Sequence, residues 1–279
     1  MKKTVYILTI VLLLLVFGVS AFMVGSYILE GKEQKEKYDS LSELKDSAKE
    51  NATQPTESVP GETEMDPEGT FGAAEIRDEN GMLVEYGEIY ALNSDVVGWI
   101  RMDGTPMDYP VMQTPDRPNH YLYKDFDSKD SARGSIYIRE ECDINEPSDN
   151  ITIYGHNMRD GSMFACLNDY MDKNTIHDVY ENNSLIFFDT LYEYHVYKIF
   201  AVFKTSANIG EGFTYHNMID AKDKADFDNF IAECKRLCLE DYNFDSGITP
   251  QYGDKIICLS TCEYTLDNGR FVVAAVRIS

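Results

Sequence analysis

Lys255-Ile256-Ile257-Cys258-Leu259-Ser260-Thr261-Cys262-Glu263 is followed, across Asp267-Asn268-Gly269, by Arg270-Phe271-Val272-Val273-Ala274-Ala275-Val276. Two short, largely apolar, β-prone runs on either side of an Asn-Gly signal read as an antiparallel hairpin. Their near-continuous hydrophobicity places them in a core. The first run loses its apolar character at Ser260, so Cys262 stands at a strand end, where scaffolds display reactive groups to loops. Cys258, four residues earlier, lies deeper and reads as a small core residue. Arg270 opens the second strand. An eight-residue offset across the hairpin brings it to the same end as Cys262.

Working outward, six more β-rich runs are bounded by turn residues: Val96 to Met102, Asp108 to Met112, Gly134 to Arg139, Asn150 to Tyr154, Ser184 to Asp189 and Tyr194 to Thr205. Helices do not alternate with them, which argues for a barrel or sandwich and against a parallel α/β sheet. Helical patterns cover Glu85 to Asn93, Met163 to Met171 and Lys222 to Glu240. In the last, Phe227, Phe230, Ile231, Cys234, Leu237 and Cys238 fall on one face. Sequence periodicity leaves barrel and sandwich open.

At the N-terminus, Lys2 and Lys3 precede an uncharged, mostly apolar run from Val5 to Leu29. As a helix rising about 1.5 Å per residue it exceeds a hydrocarbon core of roughly 30 Å. It also exceeds the apolar region of a cleaved signal peptide, roughly 7–15 residues, so residues 1–29 are expected to be a retained transmembrane anchor. The two lysines orient it with the N-terminus cytoplasmic and the remainder extracellular, a single-pass protein of the cell membrane. From Glu30 to Ala73 there are twelve acidic and five basic residues with few aliphatics, around Pro55-Thr56-Glu57-Ser58-Val59-Pro60-Gly61. Residues 30–78 therefore read as a flexible acidic stalk that buries too little to offset its ordering entropy. Tyr38, Leu41 and Leu44 mark at most a short helix. Residues 79–279 are enough for a single domain with a sizeable core.

The chain carries a net charge of −23; setting aside +2 from the N-terminal lysines and −7 from the acidic segment leaves −18. Such a balance excludes nucleic acid as a partner and opposes adsorption to anionic lipid. The six cysteines do not form an evident disulfide framework. On a strand, Cys258 and Cys262 lie about 13 Å apart, beyond the roughly 7 Å reach of a bridge and too far to share one metal. Cys234 and Cys238 belong to a helix face, and nothing in the sequence brings Cys142 to Cys166. No metal or cofactor is implied.

One further string carries chemistry. Tyr154-Gly155-His156-Asn157-Met158 follows the strand Ile151-Thr152-Ile153 and precedes a helical pattern. The remaining histidines, His120, His177, His195 and His216, read as solvated loop residues. A cysteine nucleophile needs a base or cation to hold it as thiolate, and an acyl-transfer intermediate needs a fixed donor for its oxyanion. His156, Cys262 and Arg270 supply these three parts.

Both the order of these residues and the local words resemble the sortases, membrane-anchored cysteine transpeptidases of Gram-positive bacteria. The Tyr-Gly-His-Asn-Met and Ser-Thr-Cys-Glu-Tyr strings are most similar to class B. The strands Val97-Gly98-Trp99-Ile100 and Tyr109-Pro110-Val111 extend the likeness over the exported part. The resemblance implies an all-β fold with added helices: a closed eight-stranded barrel with an N-terminal helix and a long helix between strands 6 and 7. It implies that Cys262 attacks the threonine carbonyl of a C-terminal sorting signal on a surface protein. An amine of a peptidoglycan cross-bridge or stem peptide then resolves the thioester. His156 acts as acid and base and Arg270 as the oxyanion partner. Tyr154, Ser260 and Glu263, with Asn119 and Leu122, are expected along the peptide groove. Asp160 and Glu263 offer carboxylates to an incoming ammonium.

Three other readings remain open: a pilin-polymerising sortase that uses a pilin lysine, a secreted cysteine peptidase that uses water, and a non-enzymatic adhesin or receptor ectodomain. The last explains anchor, stalk and strands but not the three catalytic strings.

Overall fold

The computed structural model describes residues 2–53, 76–208 and 210–279. The chain divides into two compact units, Met1–Ser40 and Leu41–Ser279. The first consists of the N-terminal part of α1 (Lys2–Thr53), whose apolar side chains from Val5 to Leu29 are almost all exposed. Its most apolar window has a mean hydropathy of 2.9, so the helix is long and apolar enough to cross a membrane.

In the second unit, α2 (Val84–Leu92) precedes eight strands: β1 (Val96–Arg101), β2 (Asp108–Met112), β3 (Ile136–Ile138), β4 (Asn150–Tyr154), β5 (Leu185–Thr190), β6 (Val196–Ser206), β7 (Ile256–Glu263) and β8 (Gly269–Arg277). They close into a barrel in the order β1-β2-β3-β4-β7-β8-β6-β5. β1 pairs with both β2 and β5, which settles barrel over sandwich. Most pairs are antiparallel, but β2–β3 and β4–β7 are parallel. The β4–β7 pairing matters most for the site, because it lays the strand ending before His156 against the strand that carries Cys262 near its end.

α3 (Ile176–Asn182) lies between β4 and β5, and α4 (Lys224–Tyr242) between β6 and β7. The Asp223 carboxylate accepts the Asp226 N–H at 2.9 Å, capping the start of α4. Asn243, at φ 52°, ends it in the left-handed conformation. Phe227, Phe230, Ile231, Cys234 and Cys238 are buried as their spacing predicts. Val202 N–H donates to Cys238 Sγ at 3.4 Å, joining the helix to β6.

Two local expectations are modified. Residues 30–53, assigned to a flexible stalk, form helix, while residues 54–75 lie outside the described residues. The part from Leu41 belongs to the barrel unit, and specific contacts override its sparse pattern. Leu41 is buried, Ser42 Oγ donates to Asp108 at 2.6 Å, and the Lys45 ammonium sits 4.3 Å from the Trp99 ring centroid. Lys49 lies 3.4 Å from the buried Glu85 carboxylate. The segment expected to be helical from Met163 instead begins at Ala165 as a 3₁₀ helix to Met171. Met163 itself takes φ 58°, closing the loop that carries His156.

All six cysteines are free thiols, including Cys142 and Cys166. Burial pushes both of these up to about 11 and raises Cys258 further, so these three stay protonated and inert at neutral pH.

Candidate active site

Cys262 and Arg270 are Cα partners across β7 and β8, so their side chains leave the same face of the sheet. The connection between them, residues 264–268, ends with Asn268 at φ 48°. It then passes Gly269, where a Cβ would stand 2.5 Å from the Glu263 carbonyl oxygen. Only glycine allows that approach, which fixes the register opposite Cys262. Arg270 is anchored to this turn: Nη1 donates to the Gly269 carbonyl at 2.9 Å and to Asn268 Oδ1 at 3.2 Å.

His156 arrives from the neighbouring strand. Tyr154 pairs with Ser260, and Gly155 N–H continues the ladder by donating to the Ser260 carbonyl at 3.1 Å. A Cβ at Gly155 would meet Ile136 Cδ1 and Phe164 Cγ at 2.6 Å, so the glycine lets this strand end press against the core just before the histidine. The imidazole Nε2 lies 2.8 Å from the Leu122 carbonyl oxygen, and Tyr123 lies alongside it with ring centroids 5.7 Å apart. A carbonyl only accepts, so Nε2 carries the hydrogen and Nδ1 is the nitrogen of the neutral ring that takes up a proton.

These groups share one cavity of about 280 Å³. Its lining includes Cys262, His156 and Arg270, together with Tyr154, Ser260, Asn119 and Leu122, so seven of the eight expected site residues are brought together. Cys262 is half-buried, whereas the other five cysteines are buried. Ser260 bonds Tyr215 through their hydroxyls at 2.6 Å, and the Tyr137 hydroxyl donates to Asn119 Oδ1 at 3.1 Å. Asn119 holds φ 55° in the loop before β3. Burial raises the phenols of Tyr154, to about 12, and of Tyr137 and Tyr215 further, so all three stay protonated and neutral near pH 7.

Glu263 is the exception. As the neighbour of Cys262 on a strand it faces the other way. Its carboxylate accepts the N–H groups of Thr265 and Leu266 at 3.0 Å and meets Lys204 at 3.2 Å. Burial alone would raise its pKa, but these hydrogen bonds outweigh it and leave the group below the usual range. Glu263 therefore braces the β7–β8 turn and does not flank the groove. Asp160 is likewise engaged, with Arg133 Nη1 at 2.5 Å and Ser162 Oγ at 2.7 Å. Glu263 is thus turned away from the cavity, whereas Asp160 stays exposed beside its ion pair with Arg133.

Of the four histidines expected to be solvated, only His177 is exposed, and His120 is half-buried beside Arg117. His195 is buried beside Tyr197. His216 is half-buried and lines the cavity with Tyr215, because the connection from β6 to α4 folds over the site. Burial lowers the pKa of both. The Tyr215-His216 pair inside a mostly polar connection was the available signal for this wall; Tyr137 had none beyond its place in β3.

Comparison with known proteins follows the same lines. The sortase family model, described as a sortase domain, matches residues 100–278. Sortase B of Staphylococcus aureus is 33% identical over 196 residues, covering 68% of this chain and 73% of that protein. Sortase B of Listeria monocytogenes is 33% identical over 204 residues, covering 71% and 74%. The structure of a Staphylococcus aureus sortase B–substrate complex superposes with a TM-score of 0.70 at 25% identity, over 90% of this chain and 99% of that one. A sortase B from B. anthracis gives 0.60 at 27% identity, over 74% and 89%.

Proposed function

The chain belongs to the sortase family, class B, and is a cysteine transpeptidase; from that premise we propose that it cleaves a C-terminal sorting signal after threonine at Cys262 and transfers the surface protein to a peptidoglycan amine. The cross-strand pairing of Cys262 with Arg270, in one cavity with His156, carries this reading.

The Cys262 thiolate adds to the threonine carbonyl carbon, and the electron pair moves onto oxygen. Arg270, anchored through Nη1 and facing the same cavity, stabilises that oxyanion. Collapse of the intermediate breaks the C–N bond, and His156 gives its proton to the departing amine. A thioester remains. The acceptor amine then adds to the same carbon, His156 takes its proton, the C–S bond breaks and the thiolate is restored. Tyr154, Ser260, Asn119 and Leu122 lie where a peptide backbone and its side chains would meet the cavity wall. The apolar helix from Val5 to Leu29 holds the enzyme in the cell membrane, with the two N-terminal lysines inside and the catalytic unit outside.

The test uses a panel of Asn-Pro-x-Thr and Ser/Pro-Pro-x-Thr-Gly peptides. Mass spectrometry is expected to find a thioester on Cys262. Water is present at about 55 M, so transfer prevails only where the site positions an amine; well-placed reactants reach effective molarities of 10⁵ M or more. Millimolar wall peptide should therefore speed loss of the acyl-enzyme and divert product from free acid to amide. Faster turnover with pilin lysine than with any wall amine would make the chain a pilin polymerase. Pure hydrolysis with every amine would make it a peptidase on a sortase barrel.

A further inference from the structure

The residue after the histidine has no assigned part in this chemistry, yet it joins the two strand ends that carry it. Asn157 Nδ2 donates to the Cys262 carbonyl at 2.9 Å. The rungs of the parallel β4–β7 ladder explain why that acceptor is there. Gly155 N–H bonds the Ser260 carbonyl, and the next rung, two residues on along each strand, would run from residue 157 to the Cys262 carbonyl. The chain leaves the sheet at His156, turning into the loop closed by Phe164 N–H on the His156 carbonyl at 3.0 Å. At that point the side-chain amide of Asn157 occupies the place of the missing backbone rung.

The amide is itself oriented. Asn157 Nδ2 donates to Asn168 Oδ1 at 3.0 Å, and Asn168 Nδ2 donates back to Asn157 Oδ1 at 2.8 Å. Asn168 lies in the 3₁₀ helix Ala165–Met171 that follows the loop. One hydrogen of Nδ2 thus goes to the Cys262 carbonyl and the other to Asn168. A reciprocal pair of this kind needs two amides; a carboxylate at either place loses the donor.

We propose that Asn157 is a positioning residue for the thiol–imidazole pair. It ties the carbonyl of the nucleophilic residue to the residue after the acid–base histidine and so sets how His156 stands to Cys262. The proposal rests on the reading of His156 and Cys262 given above. Asparagine suits this role because its short amide spans the gap that the departing backbone leaves, and a misplacement near 1 Å can cost a hundredfold in rate.

The experiment compares the full chain with Asn157→Asp, Asn157→Ala and Asn168→Ala. Cys262 acylation is measured in single turnover by mass spectrometry, with whichever panel peptide acylates the unaltered enzyme, from pH 5.5 to 9. Asn157→Asp keeps the shape but sets an oxygen against the Cys262 carbonyl, so it guards against a variant that merely unfolds. The expected result is a tenfold or greater fall in the acylation rate at saturating peptide for both Asn157 variants. The peptide concentration giving half-maximal rate should stay within about twofold, and the pH profile should be displaced. Asn168→Ala should fall between them and the unaltered enzyme. Unchanged rate and pH profile in folded Asn157→Asp would overturn the proposal, as would a loss that follows only the folded fraction in thermal melts. A Cys262→Ala control separates the two readings. If that variant still turned over peptide, the nucleophile assignment would fail and the role of Asn157 would fall with it.

Discussion

Cys262 and Arg270 stand directly opposite each other on β7 and β8, with the two strands joined by a five-residue connection. Directly opposed residues of an antiparallel pair have Cβ atoms about 5 Å apart on one face. The Cys262 thiol and the Arg270 guanidinium are therefore held by the same ladder. His156 reaches them from a third strand, through the parallel β4–β7 pair.

Arg270→Lys tests whether the guanidinium acts on developing charge. Lysine retains the positive charge but replaces a planar fork with a point charge on a flexible stem, and it loses the Nη1 anchorage to Asn268 and Gly269. Turnover should fall roughly a hundredfold, as for loss of an oxyanion donor. Near-normal kcat would assign the oxyanion to backbone amides.

Replacing each β7 cysteine by alanine separates chemistry from packing. Cys262→Ala should abolish the thioester while folding stability, read from urea midpoints, stays within about 1 kcal/mol, because the thiol borders a cavity. Cys258 is fully buried with its pKa raised, so Cys258→Ala leaves a small void and should cost about 1–2 kcal/mol with acylation retained. Loss of the thioester in the Cys258 variant alone would reverse the assignment.

Gly155→Ala is expected to be costly although the residue is at a strand end. The new methyl would lie 2.6 Å from both Ile136 Cδ1 and Phe164 Cγ, and Phe164 is fully buried. Overpacking of this kind costs about 1–3 kcal/mol. Any backbone shift that relieves it moves His156. Thermal melting should register the first effect and acylation rate the second; a variant normal in both would show that Phe164 yields freely.

Glu263→Gln should weaken folding in a pH-dependent way. In the folded chain this carboxyl lies below its ordinary value, so its stabilisation is present above the unfolded value, near 4.3, and is lost as pH falls through the folded one. At pH 7 the variant should be less stable by about 1–3 kcal/mol, since charge-assisted bonds to Thr265, Leu266 and Lys204 weaken. The gap should narrow as pH falls below about 4.3 and close once it is below the folded value. Urea titrations at pH 7 and 3.5 measure both; a gap as wide at the lower pH as at pH 7 would mean that shape, not charge, braces the turn.

Most elements were legible because their signals are local. The eight strand segments, the amphipathic α4 and the membrane-length apolar run each repeat a pattern within their own length. The pairing of Cys262 with Arg270 was legible too, since a hairpin's register follows from its own turn. Even the misplacement of Glu263 had a local remedy, because neighbours on a strand face opposite ways.

Sequence by itself thus determined which segments are strands, which thiol ends one of them and which arginine lies across from it. The tertiary structure decided what depends on distant segments meeting. Closure of β1 on β5 made a barrel, and the β4–β7 pairing carried His156 to Cys262. The β6–α4 connection supplied Tyr215 and His216 to the cavity, and barrel contacts at Leu41, Lys45 and Lys49 accompany helix through to Thr53. The physical reason is that periodicity records which face of a segment is buried, whereas the partner that buries it is selected only when the whole core closes.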